Sequence, residues 1–298
     1  MTASPPAWVI TGPTSGFGHA TALELAAHGT VVLVGRNASK LAAVQAEIES
    51  RGGAATPVVA DLSDIESARS AAAEVAALGL PIRGVLNNAG VMLSRPATSR
   101  QGWELSFATN HLGPLAFTDG LIPHLPAGTN VVFVTSAAED PERLPAVRTG
   151  FRGGRYISAA AAARGEYTPD GSKRAGMDAY ATSKQGNLAA VFSLTRQHPQ
   201  LHFRAIEPGV NPGSNLGELP VPLRLLSKAL APLLTVFPHF TTSKRAGRVI
   251  ATIVTDTSSA TGTYYDENGK PMQASKQVSD PAFSDRYIAE SRDLIATV

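Results

Sequence analysis

Two residues with the chemistry and the spacing for proton transfer stand in the second half of the chain, at Tyr180 and Lys184. The pattern around them predicts a helix that opens at Tyr180 and continues to about Gln197, so residues four apart lie on one face. A lysine ammonium there would stabilise a tyrosinate and lower its pKa from about 10 towards working pH. Such a tyrosine can give a proton to a carbonyl oxygen or take one from an alcohol. The pair alone is uninformative, because this spacing is common by chance on helix surfaces.

A glycine-rich stretch near the start of the chain is the second candidate site. The apolar run at residues 8–10 is followed by Gly12, Gly16 and Gly18 and then by a helical composition, which predicts strand, turn and helix. Gly12 can turn the chain tightly, Gly16 leaves room for a bound pyrophosphate, and Gly18 lets the helix lie close to the strand. The helix N-terminus would present free N–H groups to phosphates. The spacing alone also fits a plain corner, and His19 stands where a P-loop needs lysine.

The elements that would position these residues alternate along the chain. Apolar runs predict further strands at residues 30–35, 56–60, 85–86 and 131–135, with helical patterns between them, as at 41–51 and 103–121. This alternation predicts a doubly wound α/β fold with a parallel sheet, right-handed crossovers and helices on both faces. No linker or internal repeat divides the chain, so residues 1–298 are expected to form a single Rossmann-type domain.

Arg36 directly follows the second predicted strand, whose end meets the adenosine ribose in folds of this type. An acidic residue there would favour NAD, whereas an arginine accommodates the 2′-phosphate of NADP. No Asp or Glu occurs between Val31 and Lys40, so we expect NADP(H), with NAD(H) as the alternative cofactor. A solvated arginine at a helix start is the competing interpretation.

Polar and small residues also follow the third and fourth predicted strands. Asp61 is placed to accept a hydrogen bond from an adenine amino group, although an ordinary acid at a helix start would look the same. Ser63, with Glu66 three residues later, predicts a capping box for the next helix. The run Asn87-Asn88-Ala89-Gly90 brings small residues to the crevice edge, where they allow close approach.

Composition excludes several classes of function. The 26 basic and 24 acidic residues leave a net charge of +2 without a long basic run, which does not indicate nucleic-acid binding. The absence of cysteine excludes disulfides, thiol catalysis and cysteine-ligated metals. His198 and His202 flank a proline at a helix end, so no metal site is predicted. Residues 229–237 are too short to span a membrane and residues 1–6 do not resemble a signal peptide, so a cytoplasmic protein is expected.

Taken together, these segments resemble the classical type of short-chain dehydrogenase/reductase. The matching segments, in the family's order, are Thr11-Gly12-x-x-x-Gly16-x-Gly18, Asp61-Leu62, Asn87-Asn88-Ala89-Gly90, Asn110, Ser136, Tyr180-x-x-x-Lys184 and Pro208-Gly209. The retinol-dehydrogenase-like branch is the most similar, through residues 35–37, 107–113, 262–265 and 279–281. The resemblance implies about seven strands in the order 3-2-1-4-5-6-7.

The resemblance also implies a role for each matching residue. Tyr180 would be the general acid/base, and Lys184 would bind the nicotinamide ribose and tune Tyr180. Ser136 would hydrogen-bond the substrate oxygen, and Asn110 would hold a water that relays protons through Lys184. The remaining cofactor-binding positions would be Gly12, Thr14, Ser15, Gly16, Phe17, Gly18, Arg36, Asp61, Leu62, Asn88, Ala89, Gly90, Pro208, Gly209, Val210 and Gly213.

The chain departs from the family's pattern at two places, the insertion and Gly213, and its substrate loop is strongly apolar. An insertion at about residues 139–177 lengthens the segment between Ser136 and Tyr180, and its basic residues predict a lid or an arm for an anionic substrate or a partner subunit; a solvated surface insertion is the alternative. Gly213 stands where the family has a threonine, and Ser214 could substitute for it. The apolar region at about 213–241 would be a lid over a lipophilic substrate, or else a packing or dimer contact.

We therefore expect an NADP-dependent oxidoreductase that transfers a hydride between nicotinamide and an alcohol or carbonyl. Reduction of a lipophilic ketone or aldehyde is the expected direction, because NADPH is usually the reductant in cells. The alternative is a catalytically silent NADP-binding or sensing protein, although Ser136, Tyr180 and Lys184 are all intact. Epimerisation or dehydration is a third possibility, which the glycine spacing disfavours. A homodimer or homotetramer would pair through the helices near Asn110 and Tyr180, unless the insertion blocks it.

Overall fold

A computed structural model describes residues 5–172, 174–211 and 239–298 of the chain. Gly213, Ser214 and most of the substrate loop expected at 213–241 lie outside these ranges. The strands are Ala7–Thr11 (β1), Thr30–Gly35 (β2), Ala54–Val59 (β3), Ile82–Asn87 (β4), Asn130–Val134 (β5), His202–Ile206 (β6) and Thr263–Tyr265 (β7). They form a seven-stranded sheet in the order β3-β2-β1-β4-β5-β6-β7, and every neighbouring pair is parallel. The predicted fold class and strand order are confirmed.

Helices connect the strands and cover the sheet. They are Gly16–Leu25 (α1), Ala38–Ser50 (α2), Ile65–Ala77 (α3), Leu105–Phe107 (α4), Gly113–Leu121 (α5), Leu144–Arg148 (α6), Ala159–Ala163 (α7), Ala175–Gln197 (α8), Ser243–Thr255 (α9), Lys276–Ser279 (α10) and Pro281–Ile295 (α11). Within the described ranges, no helix combines the length and the apolarity needed to cross a membrane.

The central strands are buried on both faces, as their near-continuous apolar sequences require. Val9 of β1 belongs to the core on one face, which also contains Leu188 of α8. Its neighbour Ile10 belongs to the core on the other face, with Leu25 of α1 and Ile250 of α9. Because all seven strands are parallel, the polar residues that follow them collect at one edge of the sheet.

Two predicted helix starts are wrong. Asp64, not Ser63, caps α3, and its carboxylate accepts from the backbone N–H of Glu66 at 3.1 Å. The Ser63 hydroxyl instead donates to Asp61 Oδ1 at 2.7 Å, because the chain becomes helical one residue later than predicted. Helix α8 begins at Ala175, so Tyr180 lies inside the helix rather than at its start.

The long helix predicted at residues 103–121 is interrupted. A π-helical turn at Ala108–Leu112 separates α4 from α5, and Asn110 lies in the middle of this turn. Such turns insert wide backbone rings into a helix and are frequent at functional sites. A sequence pattern with helical period does not reveal them, because the apolar positions on either side remain in register with the core.

Helix α11 lies along α8 and holds it against the sheet. Tyr287 of α11 is fully buried, and its hydroxyl donates to the carbonyl of Thr182 at 2.8 Å. The ring of Tyr156, from the insertion, stacks on Tyr287 with 3.7 Å between ring centroids. Arg292 forms two hydrogen bonds with Asp119 of α5, at 2.7 and 2.8 Å. Helix α11 therefore packs along α8 and is bonded to α5, the two helices that were expected to pair between subunits.

Candidate functional site

The ends of β1 and β4 are tied together through Thr11 and Asn88. The Asn88 amide donates to the carbonyls of Thr11 and Gly12, at 2.9 and 3.1 Å. The backbone N–H groups of Asn88 and Ala89 both donate to the Thr11 hydroxyl at 3.0 Å. Asn88 thus holds the glycine turn in place, a contact that its position after β4 does not reveal from sequence alone.

The glycine turn is shaped by contacts that a side chain would block. Gly12 has φ +67°, and a Cβ there would lie 2.9 Å from the Cα of Ala89. A Cβ on Gly18 would lie 2.2 Å from the carbonyl oxygen of Gly12, so α1 begins directly against the turn. Gly16 has φ +58°, yet a Cβ there would meet nothing within 4 Å. The protein leaves open the space in front of Gly16.

The start of α1 has the properties of an anion-binding site. Ser15 is its N-cap residue but makes no side-chain capping hydrogen bond, and its first turn contains no acidic residue. The N–H groups of the first turn therefore face the open space at Gly16 with their partial positive charge. A pyrophosphate fits this cradle. Thr14 is half-buried at the turn, whereas the side chain of Phe17 is buried in the core and leaves its backbone to face a ligand.

Arg36 and Asp61 lie after adjacent strands, β2 and β3. Arg36 is exposed, and no carboxylate among the described residues forms an ion pair with it. One carboxylate oxygen of Asp61 accepts from the backbone N–H and the hydroxyl of Ser63, at 2.9 and 2.7 Å. Leu62 is buried, and its carbonyl lies so close to Gly113 of α5 that a Cβ there would clash.

The structure brings Asn110, Gly90 and Lys184 together. A Cβ on Gly90 would lie 3.3 Å from Asn110 Oδ1 and 3.4 Å from Lys184 Nζ. Asn110 is fully buried, and its amide clamps the backbone of Val91 with hydrogen bonds of 2.7 and 2.8 Å. The same amide donates to the Ser183 hydroxyl at 3.0 Å. Asn110 thus fixes the chain after β4 against the helix that carries Lys184.

Tyr180 and Ser136 form the centre of the candidate site. Burial raises the pKa of Tyr180 to about 12, a hydrogen bond with the Ser136 hydroxyl lowers it, and the charge of Glu207 raises it. Lys184 Nζ lies 5.7 Å from the centroid of the Tyr180 ring and donates to the carbonyl of Val134 at 2.9 Å. Burial also lowers the pKa of Lys184 to about 8. The pKa of Tyr180 is thus raised in this arrangement, not lowered as expected from Lys184, and burial is the largest cause.

The insertion is anchored to the helix that carries Tyr180. The backbone N–H of Arg155 donates to the Thr182 hydroxyl at 2.9 Å, and its guanidinium donates to the carbonyl of Thr168. Asp178 of α8 accepts from the backbone and the hydroxyl of Ser172. These contacts place the ring of Phe151 beside Tyr180, with 6.1 Å between centroids and 47° between ring planes.

Buried carboxylates that follow β5, β6 and β7 are the feature that sequence reasoning missed. Glu139, Glu207 and Glu267 are each more than nine-tenths buried. Burial raises the pKa values of Glu139 and Glu207 to about 7. The available signal was Glu207 itself, an acid placed between an apolar strand and Pro208-Gly209.

The chain leaves β6 through Pro208, Gly209 and Val210. Gly209 has φ +82°, and the backbone N–H of Val210 donates to the carbonyl of His239 at 2.7 Å. Gly213 lies outside the described ranges, so its expected contact with the cofactor stays a prediction. In the ranges that the structure covers, no cluster of three or more His, Asp or Glu side chains could hold a metal ion.

Comparisons with known proteins agree with this geometry. The family model for short chain dehydrogenases matches residues 7–145. A short-chain dehydrogenase/reductase of Armillaria gallica is 31% identical over 69% of this chain, and the chain spans 64% of that relative's length. A polyprenol dehydrogenase of Mus musculus is 36% identical over 43% of this chain and 41% of its own length.

A solved structure gives the same result for the fold. The blue fluorescent protein from a metagenomic library, in complex with NADPH, superposes with a TM-score of 0.65. The superposition covers 90% of this chain and 98% of that one, at 21% sequence identity. The sheet order, the glycine turn before α1 and the family match lead to one conclusion: this chain belongs to the short-chain dehydrogenase/reductase family.

Proposed function

We propose that this protein is an NADP(H)-dependent oxidoreductase that reduces the carbonyl group of a lipophilic ketone or aldehyde. One observation carries the proposal: Tyr180 and Ser136 interact at the carboxyl edge of the sheet, with Lys184 one helical turn from Tyr180. The open cradle at Gly16 lies at the same edge, at the end of β1. A proton donor and a phosphate-binding turn on one edge are what hydride transfer to a carbonyl requires.

Several residues support NADP(H) as the cofactor. The first turn of α1 and the space at Gly16 would hold the pyrophosphate, and Arg36, exposed and free of carboxylate partners among the described residues, would hold the 2′-phosphate. The solved structure compared above is a complex with NADPH. When bound, the nicotinamide supplies or accepts the hydride.

The residues of this chain would supply the proton and the orientation. In the reduction, Ser136 hydrogen-bonds the substrate oxygen and Tyr180 donates its phenol proton to that oxygen. Lys184 would move its ammonium from the Val134 carbonyl towards the ribose and Tyr180, where its charge stabilises the tyrosinate that forms. Asn110 would hold the chain after β4 beside Lys184, so that a proton could return to Tyr180 through Lys184.

Phe151 and the family relatives support a lipophilic substrate. The Phe151 ring gives the space beside Tyr180 an apolar wall, and it comes from the insertion. The mouse relative is a polyprenol dehydrogenase, whose name denotes a long apolar alcohol. A ketone or aldehyde with an apolar group would therefore place that group against Phe151 and its oxygen between Ser136 and Tyr180.

A catalytically silent NADP-binding protein is the second candidate, and two observations favour it. Lys184 donates to a backbone carbonyl, and the pKa of Tyr180 is raised rather than lowered. Both candidates bind NADP(H), so turnover separates them. The oxidoreductase predicts that NADPH is consumed with some carbonyl compound, and the silent protein predicts consumption with none.

The test begins with NADPH and NADH titrated into the purified protein while nicotinamide fluorescence is followed. Tight NADPH binding with weak NADH binding supports the cofactor assignment and Arg36. Carbonyl compounds of graded apolar size are then screened by NADPH consumption. NADPH binding without turnover of any of them would favour the silent alternative, and binding of neither nucleotide would contradict both candidates.

We further propose that the protein does not pair through α5 and α8. Pairing of subunits through these helices was the expectation from sequence, but α11 packs along α8 and bonds to α5 through Arg292 and Asp119. A second subunit would have to displace Tyr287 from its buried position. Sedimentation velocity tests this: a dimer whose formation depends on α5 or α8 surface residues would contradict it.

A further inference from the structure

Glu207 lies beside Thr135, the residue before Ser136, and faces the side of the sheet that carries α8. Val134 of β5 pairs with Ile206 of β6, and the N–H of Thr135 donates to the Ile206 carbonyl at 2.8 Å. Glu207 is therefore the neighbour of Thr135 across the two strand ends. Thr135 points to α8, since its hydroxyl donates to the Lys184 carbonyl at 3.0 Å. By the alternation of side chains, Glu207 faces the same side.

The surroundings of Glu207 are acidic and dry. Glu207 is 7% exposed, and its Oε2 has no hydrogen-bond partner among the described residues; the same holds for Oε2 of Glu267 and for the Tyr264 hydroxyl. A buried carboxylate oxygen without a partner is rare and needs an explanation. Glu207 also accepts a hydrogen bond from the backbone N–H of Gly209, which leaves its Oε2 unaccounted for among the described residues.

Charged groups from the segments after β7 and before α6 change the pKa of Glu207. Glu267 and Asp266, after β7, raise its pKa by their negative charge, and Arg143, before α6, lowers it. Burial is the largest cause of the raised value. Glu267 itself is paired with His239, at 3.3 Å. Arg143 is the cation that offsets the acidic surroundings of Glu207.

The negative charge of Glu207 reaches two tyrosines, Tyr180 and Tyr264. A nearby carboxylate disfavours the tyrosinate, because its negative charge repels the negative charge that ionisation would create. Lys184 has the opposite effect when its ammonium turns towards Tyr180. The pKa of Tyr180 therefore depends on two opposing charges. The Lys184 ammonium, on the same helix, would lower it, and the Glu207 carboxylate, at the neighbouring strand end, raises it.

We propose that Glu207 is a positioning residue for the proposed carbonyl reduction: its carboxylate acts on Tyr180 from the neighbouring strand end and holds the phenol in its proton-donating form. This inference rests on the proposed function, because a proton donor is needed only if a carbonyl is reduced. The inference implies that reduction is favoured by a residue of this chain, Glu207, as well as by the cofactor. Removal of the Glu207 charge should then ease the ionisation of Tyr180 and favour alcohol oxidation.

The first experiment measures Tyr180 directly and needs no substrate. Tyrosinate absorbance is titrated with base, and the difference between the wild type and Tyr180→Phe isolates the ionisation of Tyr180. In Glu207→Gln, Tyr180 should ionise roughly 0.5 to 2 pH units lower, the range given by a lost unit charge at several ångströms. Glu74→Gln removes an exposed acid from α3 and should leave the curve unchanged.

A second variant separates charge from packing. Glu207→Asp keeps a carboxylate but shortens the side chain, so Tyr180 should ionise close to its wild-type pH. If the aspartate variant shifts as far as the glutamine variant, or if neither shifts, the inference is wrong. Circular dichroism at each pH establishes that the variants are folded where the titration is read.

Turnover gives the second readout. In Glu207→Gln, the alkaline limb of kcat/KM for ketone reduction and the rising limb for alcohol oxidation should both move to lower pH. A change in KM alone, at unchanged pH profiles, would overturn the inference. If the wild type turns over no carbonyl compound, the proposed function fails, while the tyrosinate titration still decides whether Glu207 acts on Tyr180.

Discussion

The two halves of the crevice are lined by different kinds of chemical group. The half formed by β1, α1 and β4 consists of backbone: a glycine turn, free N–H groups and carbonyls tied by Asn88. The half formed by β5, β6 and α8 consists of ionisable side chains: Lys184 and Glu207 are buried, and Tyr180 is half-buried. Backbone groups do not titrate in the physiological range, whereas the pKa values of Glu207 and Lys184, about 7 and about 8, fall close to it. The first half is therefore suited to hold one cofactor under all conditions, and the second to adjust proton transfer.

The largest expected effect falls on the ionisable half alone. Tyr180→Phe removes the proton donor and should lower kcat by roughly 10²- to 10⁴-fold, the usual contribution of a general acid. NADPH binding should stay near wild type, because the phosphate cradle is untouched. The control is Tyr265→Phe, a half-buried tyrosine of β7. Equal kcat in Tyr180→Phe and the wild type would remove Tyr180 from the mechanism.

The second-largest expected effect concerns Arg36, at the edge of the half that is lined by backbone groups. Arg36→Ala should reduce the preference for NADPH over NADH by roughly 10- to 100-fold, since it deletes a charge-assisted contact to the 2′-phosphate. Nucleotide fluorescence titrations with both cofactors measure the ratio. Arg83→Ala, at an exposed position of β4, is the matched control. An unchanged preference would mean that another group recognises the 2′-phosphate.

Two glycine variants test whether NADPH binding needs the open space at Gly16. Gly16→Ala and Gly52→Ala both place a Cβ on a residue with positive φ, and in both cases nothing lies within 4 Å. Both should lose about 1 kcal/mol of unfolding free energy from backbone strain. Only Gly16→Ala should also weaken NADPH binding, by roughly tenfold. Similar NADPH affinity in the two variants would place the pyrophosphate elsewhere.

The smallest expected effect lies on the substrate side. Phe151→Ala should raise KM several-fold for ketones with a large apolar group and leave KM for small ketones unchanged, because it removes an apolar wall beside Tyr180. The Kd for NADPH should not change. A uniform rise in KM for all substrates would indicate that the insertion has shifted as a body, and Phe151→Leu, which keeps an apolar side chain, then distinguishes the two.

The same division explains what could be predicted from sequence. The glycine turn is predictable because its requirements are local: Gly12 needs a positive φ, and Gly18 lies against the carbonyl of Gly12, six residues earlier. The sheet is predictable because its strands are apolar runs of the right length, and β2 has the predicted bounds. The spacing of Tyr180 and Lys184 within one helix is likewise local.

The rest depends on contacts between distant residues. The π-helical turn at Asn110 is stabilised by the backbone of Val91, 19 residues away in the chain. Lys184 reaches the carbonyl of Val134 rather than Tyr180, a choice that no local pattern records. Glu207 reads in sequence as an ordinary acid after a strand, and only the closure of β5, β6 and β7 around it makes it buried.

The packing of α11 on α8 has a consequence for folding during synthesis. The ribosome makes Tyr180 and Lys184 well before residues 281–295, yet α8 is covered only when Tyr287 and Ile288 are in place. The sheet from β1 to β5 can form on the emerging chain, since its neighbours are close in sequence or already made. Helix α8 would expose an apolar face until α11 emerges. A chain stalled before α11 should therefore be a target for chaperones, even though every residue proposed for catalysis has already been made.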